Sequence, residues 1–215
     1  MKLINFEFLK LRKKSRGWLG PILVFILIMT AFPLTVEILN SNLEQAFFSV
    51  LWIATLLVMM LATEDIFLED YNDGTLEQTA IKYDSLALLV AIKIFVYWSL
   101  IGIPISLIGA LYAFGITGSI ESALQILPVL IITTYIFLNI FSFGNALSLT
   151  KGSILGTLIT MPLVLPLLVV LGKVVIAINL GISFLGFLFL LLGILSIIIL
   201  ILPMVISFVI KAHLE

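Results

Sequence analysis

Long apolar runs broken by short polar stretches set the pattern of this chain. A helix needs about 20 apolar residues to cross the hydrocarbon core of a bilayer. That ruler marks six segments, at about 18–39, 46–67, 86–111, 124–148, 152–173 and 183–210. The breaks between them carry turn residues: LNSNLEQ, the stretch around Asp73-Gly74, FGITGSIES, LTKGS, and the weaker GKVVIAINLGI. The runs are continuous rather than alternating, which excludes a transmembrane barrel. In hydrocarbon only a helix satisfies the N–H and C=O groups of a lone segment. The pattern predicts an all-α integral membrane protein with six transmembrane helices, in one membrane domain over 1–215.

The first sixteen residues follow another rhythm. Leu3 or Ile4, Phe8 and Leu11 recur at helical spacing, with Lys10, Lys13 and Lys14 elsewhere on the wheel. This fits an amphipathic interfacial helix in the headgroup layer; the alternative is a plain basic flag without regular structure. The apolar run that follows exceeds the 7–15 residues usual for a signal peptide, so it reads as an uncleaved first span.

Composition removes the soluble classes. The chain is 62% hydrophobic and 11% charged, whereas ordinary globular proteins carry roughly a quarter charged residues. Six of the eleven basic residues (Lys2, Lys10, Arg12, Lys13, Lys14, Arg16) precede the first span. With six spans, Lys82, Lys151 and Lys211 share their side, Lys93 is expected to snorkel to it, and only Lys173 falls opposite. The positive-inside rule then puts both termini in the cytoplasm, in a bacterial inner membrane or, in an organelle, on the matrix side. No cysteine is present, so disulfides and thiolate metal sites are excluded. The single histidine, His213, beside Lys211, reads as a solvated terminal residue.

The spans lack central charges, which usually mark ion paths or proton relays. Glu37 and Glu64 sit near span ends, which weakens an ion-coupled transporter without removing it, because broken helices can bind ions through carbonyls. Pro33, Pro104, Pro128, Pro162, Pro166 and Pro203 are the main irregularities. Pro162 and Pro166, in MPLVLP, remove two helix hydrogen bonds and are expected to kink or open the fifth span, as a hinge, as part of a pathway, or simply to fit neighbours. Gly102, Gly109, Gly144, Gly156 and Gly193 permit close helix contacts. No phosphate-cradling loop of the G-x-x-x-x-G-K-[ST] type is present; if ATP drives this protein, another chain binds it.

One polar island, DYNDGTLEQTAIKYDS from Asp70 to Ser85, interrupts the hydrocarbon. Its Asp70-x-x-Asp73-Gly74 start is shared with the metal motif of membrane CDP-alcohol phosphotransferases. The remainder fails: Glu77 and Gln78 stand where Ala-Arg belongs, and Ala87, Ala91 and Phe95 where Gly, Asp and Asp belong. Read mechanically, Asp73-Gly74 is a turn, and Thr75 with Gln78 forms a capping-box pattern for a short helix. Glu77 and Asp73 near its start suit the helix dipole. A rigid, charged helix between two spans is a handle for a soluble partner; the plainer alternative is a solvated acidic loop.

The stretch WIATLLVMMLATEDIFLEDYNDGTLEQTAIKYDSLALLVAIKIFVYW resembles the cytochrome c maturation protein B, or haem exporter protein B (CcmB), family. The resemblance rests on Asp73, Gly74, Thr75, Leu76, Glu77 and Gln78 after the second span, on FPLT from Phe32, on GIPISL from Gly102 and on LTKGSILGTLITMPLVLPLLV from Leu149. Residues 81–85, IKYDS, depart from the proline-containing turn of relatives. The resemblance implies a six-span, ABC-2-like permease subunit that does not itself hydrolyse ATP. It implies a separate ABC ATPase docking on a cytoplasmic coupling helix within 69–85, with Asp70 and Asp73 to Gln78 as the contact. It further implies a haem-handling membrane protein and a small single-span subunit as companions, a periplasmic haem chaperone as an indirect partner, and two copies of this chain. Haem is then cargo of the complex, ATP belongs to the partner, and no cofactor is assigned to this chain. An ABC-2 exporter of another amphiphile, a lipid or a drug, is the alternative within the same fold; an ion-coupled transporter is the alternative outside it.

Overall fold

A computed structural model describes residues 2–13, 15–35, 43–82, 85–150 and 153–214. Its helices are α1 (Lys2–Lys13), α2 (Ser15–Thr35), α3 (Leu43–Thr63), α4 (Leu68–Asn72), α5 (Thr75–Lys82), α6 (Leu86–Tyr97), α7 (Ile103–Thr117), α8 (Ile120–Leu147), α9 (Ser153–Asn179) and α10 (Leu185–Leu214), with a π-helical turn, Trp98–Gly102, joining α6 to α7. Six stretches are long and apolar enough to cross a membrane: Gly17–Thr35, Ala46–Asn72, Leu86–Thr117, Ile120–Leu147, Leu158–Ile178 and Leu185–Leu214. The protein is therefore a multi-pass, all-α membrane protein. Glu37, Tyr83, Asp84 and Lys151 lie outside the described residues.

Two boundaries differ from the sequence reading, because apolar character fades before the helices stop. The third span continues to Thr117. The fifth runs on to Asn179, so Lys173 lies exposed on a helix and not in a loop. Nothing in KVVIAIN stops a helix; Gly181 does, at φ 64°. Its N–H reaches the Ile178 carbonyl at 3.1 Å and that of Ile182 reaches Ala177 at 2.9 Å. Together these bonds form the Schellman arrangement, in which a left-handed glycine satisfies the last carbonyls.

Helix α8 is the most enclosed span and packs against α3, α7, α9 and α10. Its approach to α9 is backbone on backbone: a Cβ added at Gly144 would strike the Gly156 carbonyl, and one at Gly156 the Gly144 carbonyl. Small residues let membrane helices close to this distance, where dispersion replaces the missing hydrophobic drive. Gly193, by contrast, has open space around it.

Helix α9 runs through Pro162 and Pro166, and both prolines are exposed. A wide turn lies in the third span, where the N–H of Ile103 reaches back to the Trp98 carbonyl. Pro104 follows directly and has no N–H for the preceding turn, and a π turn is one way a helix absorbs such a gap. The Trp98 indole covers Gly102 and donates to Thr134 Oγ1 (3.2 Å) and the Ile131 carbonyl (3.3 Å) on α8. Ser106 Oγ lies 3.3 Å from the same Thr134 hydroxyl.

Candidate functional site

The polar elbow between the second and third spans is built from four pieces. A turn at Glu64–Phe67 ends the long helix α3, α4 follows, Asp73-Gly74 reverses the chain, and α5 returns towards α6. Gly74 sits at φ 73°, a left-handed conformation that costs other residues roughly 1–2 kcal/mol. Its carbonyl accepts the Gln78 N–H at 3.2 Å.

The start of α5 differs from the capping box read in the sequence. Thr75 is already helical, so Gly74 takes the N-cap position, and Asp73 just before it accepts the Thr75 N–H through Oδ1 at 3.0 Å. Hydrogen bonds from the Thr75 side chain and then its backbone N–H hold the exposed Asp73 carboxyl below its usual pKa. The Thr75 side chain is thereby engaged with Asp73, and Thr79 donates its hydroxyl to the Thr75 carbonyl.

The residues expected to face a partner divide in two. Asp73, Glu77 and Gln78 are exposed, and Gly74 and Thr75 half-buried. Leu76 is buried in the main core together with Ile66 and Phe67, so it anchors α5. Asp70 points inward and is 4% exposed. Ile81, which sequence reasoning passed over, is 89% exposed beside Glu77 and Gln78 on α5.

Asp70 is held by two cations. Its Oδ1 accepts from Lys10 Nζ of α1 and its Oδ2 from Lys93 Nζ of α6. Lys93 is 4% exposed, and its ammonium lies 5.7 Å from the centroid of the Phe67 ring, within cation–π range. The expectation that Lys93 snorkels to water is therefore overturned: a carboxylate one helix away replaces the solvent. Burying an ion pair needs good geometry and further partners to offset desolvation, and here one carboxylate, two ammonium groups and an aromatic face supply them. A cavity of about 20 Å³ lies between Glu7, Lys10, Asp70, Lys93 and Tyr97, about the space one water requires.

Helix α1 supplies half of this cluster, and its orientation differs from the amphipathic reading. Glu7 and Leu11 are buried and Lys10 turns to Asp70, whereas Ile4, Phe6, Phe8 and Leu9 remain exposed with Arg12 and Lys13. Burial would lower the pKa of Lys10, but its hydrogen bond to Asp70 and the charges of Asp70 and Glu7 outweigh that and raise it. Its contribution to stability is accordingly lost only in strongly basic solution, above 10.5.

Desolvation raises the Glu7 carboxyl above 4.5, against the opposing pull of Lys93 and Lys10. A carboxyl whose pKa is higher folded than unfolded binds protons more tightly in the native state, so stability declines as pH rises above 4.5 and through the raised value. Glu7→Gln is expected to flatten that decline and to keep or raise the unfolding temperature at pH 7. Thermal unfolding in detergent from pH 4 to pH 8 checks this, and a Glu7→Gln protein less stable at pH 7 contradicts it.

Further into the bilayer, α8 carries a buried polar line of Thr133, Thr134, Asn139, Ser142 and Asn145. Asn145 donates its side-chain amide to the Thr63 carbonyl at the end of α3 (2.8 Å), and Asn139 donates to the Tyr135 carbonyl (2.8 Å). The first bond ties α8 to the end of α3, and the second stays within α8. Among the described residues no three His, Cys, Asp or Glu side chains gather to hold a metal ion, and His213 lies in the last turn of α10.

Residues 2–213 match the family described as CcmB protein. A heme exporter protein B from Haemophilus influenzae is 28% identical over 188 residues, covering 86% of this chain and 85% of that protein. One from Pseudomonas aeruginosa is 29% identical over 152 residues, 70% of this chain and 68% of its own length. One from Escherichia coli is 31% identical over 86 residues, 40% of this chain and 39% of that protein. A match that runs through every span and through the charged elbow leaves one assignment: the chain belongs to the CcmB protein family.

Proposed function

We propose that this chain is the membrane permease component of a haem-export system of the cytochrome c maturation type. Its role is to couple ATP hydrolysis in a separate ABC ATPase to release of a haem-loaded chaperone. The observation that carries this reading is the family match over residues 2–213; relatives named heme exporter protein B support the cargo. The chain is not itself catalytic. Both termini and the elbow face the cytoplasm of a bacterial inner membrane, a reading that the basic first helix supports. Asp73, Glu77 and Gln78 form the face presented to the ATPase, and Gly74 sets its angle. A haem-handling membrane protein, a small single-span subunit and two copies of this chain complete the assembly.

The test separates membrane insertion from coupling. Gly74→Pro, and the double change Glu77→Ala with Gln78→Ala, are expected to leave the chain in the membrane at normal levels while abolishing holo-cytochrome c in a strain lacking the native gene. Wild-type maturation by both variants contradicts the coupling role. A pull-down in mild detergent then asks for the ATPase, which is expected with the wild-type chain. A gene deletion that leaves c-type cytochromes intact and stops export of another amphiphile favours the alternative cargo.

A further inference from the structure

We propose that Asp70 with Lys10 and Lys93 is the joint through which the elbow moves the third span, with a fixed arm to α6 and a releasable arm to α1. This rests on the coupling role proposed above and adds residues that face no partner.

Three elements distant in sequence meet at one carboxylate: Asp70 lies 60 residues from Lys10 and 23 from Lys93. Each oxygen of Asp70 serves a different helix, so the side chain bridges α1 and α6. The two arms are unequal. Side-chain exposure is 5% for Lys93 and 35% for Lys10. If α4 moved away from Lys93, it would strand two opposite charges in a medium that solvates neither, so α4 and α6 move together. Lys10 already touches water, and on losing Asp70 it exchanges the buried carboxylate for water, which costs its ammonium less than it would cost Lys93. Leu76, on α5 beyond the Asp73-Gly74 reversal, gives the elbow a second buried attachment, so α4 and α5 move as one body. Five residues beyond Lys93 the third span enters the wide turn at Trp98, whose indole is bonded to α8. A push on the elbow therefore reaches the centre of the bundle through Asp70, Lys93 and α6, while the Lys10 contact opens and closes. Asp70 and Lys93 act through other groups and are positioning residues.

The experiment uses the full chain, expressed with its companion subunits in a strain lacking the native gene. It reads three quantities: chain in the membrane, ATPase recovered with it, and holo-cytochrome c. Asp70→Asn and Lys93→Gln are expected to keep the ATPase, because Asp73, Glu77 and Gln78 are untouched, and to lower holo-cytochrome c about tenfold or more. Lys10→Gln is expected to lower it about threefold or less. The exchange Asp70→Lys with Lys93→Asp, made together with Lys10→Gln to avoid a like-charge clash, is expected to restore most of the activity. Normal maturation by Asp70→Asn overturns the proposal, and so does an exchange variant that accumulates without maturing cytochrome. Should a single variant fail to accumulate, the exchange variant still decides: recovery of both accumulation and maturation supports the joint, and recovery of accumulation alone refutes it. A wild-type chain that neither retains an ATPase nor restores cytochromes refutes the coupling role itself, a separate result.

Discussion

Gly156→Ala is expected to lower the unfolding temperature of the detergent-solubilised protein by about 6–12 °C, corresponding to a loss of roughly 3 kcal/mol. Overpacking costs about 1–3 kcal/mol where side chains can turn aside. Here the obstacle is backbone: a Cβ on Gly156 meets the Gly144 carbonyl, and a Cβ on Gly144 meets the Gly156 carbonyl and, at 2.7 Å, the Thr160 methyl. Neither helix can yield without sliding α9 along α8, and α8 is simultaneously packed on α3, α7 and α10. Gly156→Leu is expected to leave little folded protein. Gly193→Ala provides the control, since nothing lies within 4 Å of its Cβ position; alanine there removes the glycine penalty of about 0.5–1 kcal/mol in a helix interior. Equal effects at Gly156 and Gly193 would show that α8 and α9 do not touch through their glycines.

Asp70→Ala carries the other large effect, with an expected loss of about 3–5 kcal/mol, the range for leaving a buried charge without its partner. The change abandons Lys93 at 4% exposure beside a ring that replaces little of the lost attraction. Lys93→Met is expected to cost less, because Lys10 still holds the carboxylate. The double variant Asp70→Ala with Lys93→Met removes both buried charges and is expected to be closer to wild type than Asp70→Ala alone. Unfolding measurements on the four proteins form a double-mutant cycle. Additive losses would mean that the two groups do not interact.

The course of the chain was largely readable in advance, and the cluster at Asp70 was not. Six uninterrupted apolar runs admit six helices, and a helix end marked by a strong breaker, such as Asp73-Gly74, is a local property of the sequence. Lys173 was misplaced because a lysine does not stop a helix and the true stop, Gly181, stands eight positions later. Thr75 and Gln78 fit a capping box by spacing alone; in the fold the Gln78 N–H goes to the Gly74 carbonyl and Asp73 accepts the Thr75 N–H. Lys93 and Asp70 show the deeper limit. Each could be read alone, one as a snorkelling lysine and one as part of an acidic face, and only the packing of α4 on α6 brings them together. A signal did exist: a lysine two turns inside an apolar run needs a counter-charge, and Asp70 is one of the nearest acids on the same side. Lys10 carried no such signal, because a lysine in a basic leader has water as an easy alternative.

The wide turn at Trp98–Gly102 also sets the azimuth of everything after it. One residue corresponds to about 100° of rotation in an α-helix. Rewinding these residues as ordinary α-helix, with none removed, would swing the whole distal half of the third span around its axis. Ile105 and Ser106, now buried, and Gly109, now against Leu51 and Leu130, would sweep toward the lipid, and the exposed flank of Leu107 and Leu111 would rotate with them. The irregular turn thus works as a phase corrector, letting one continuous span present its inner stripe to the same neighbours from end to end.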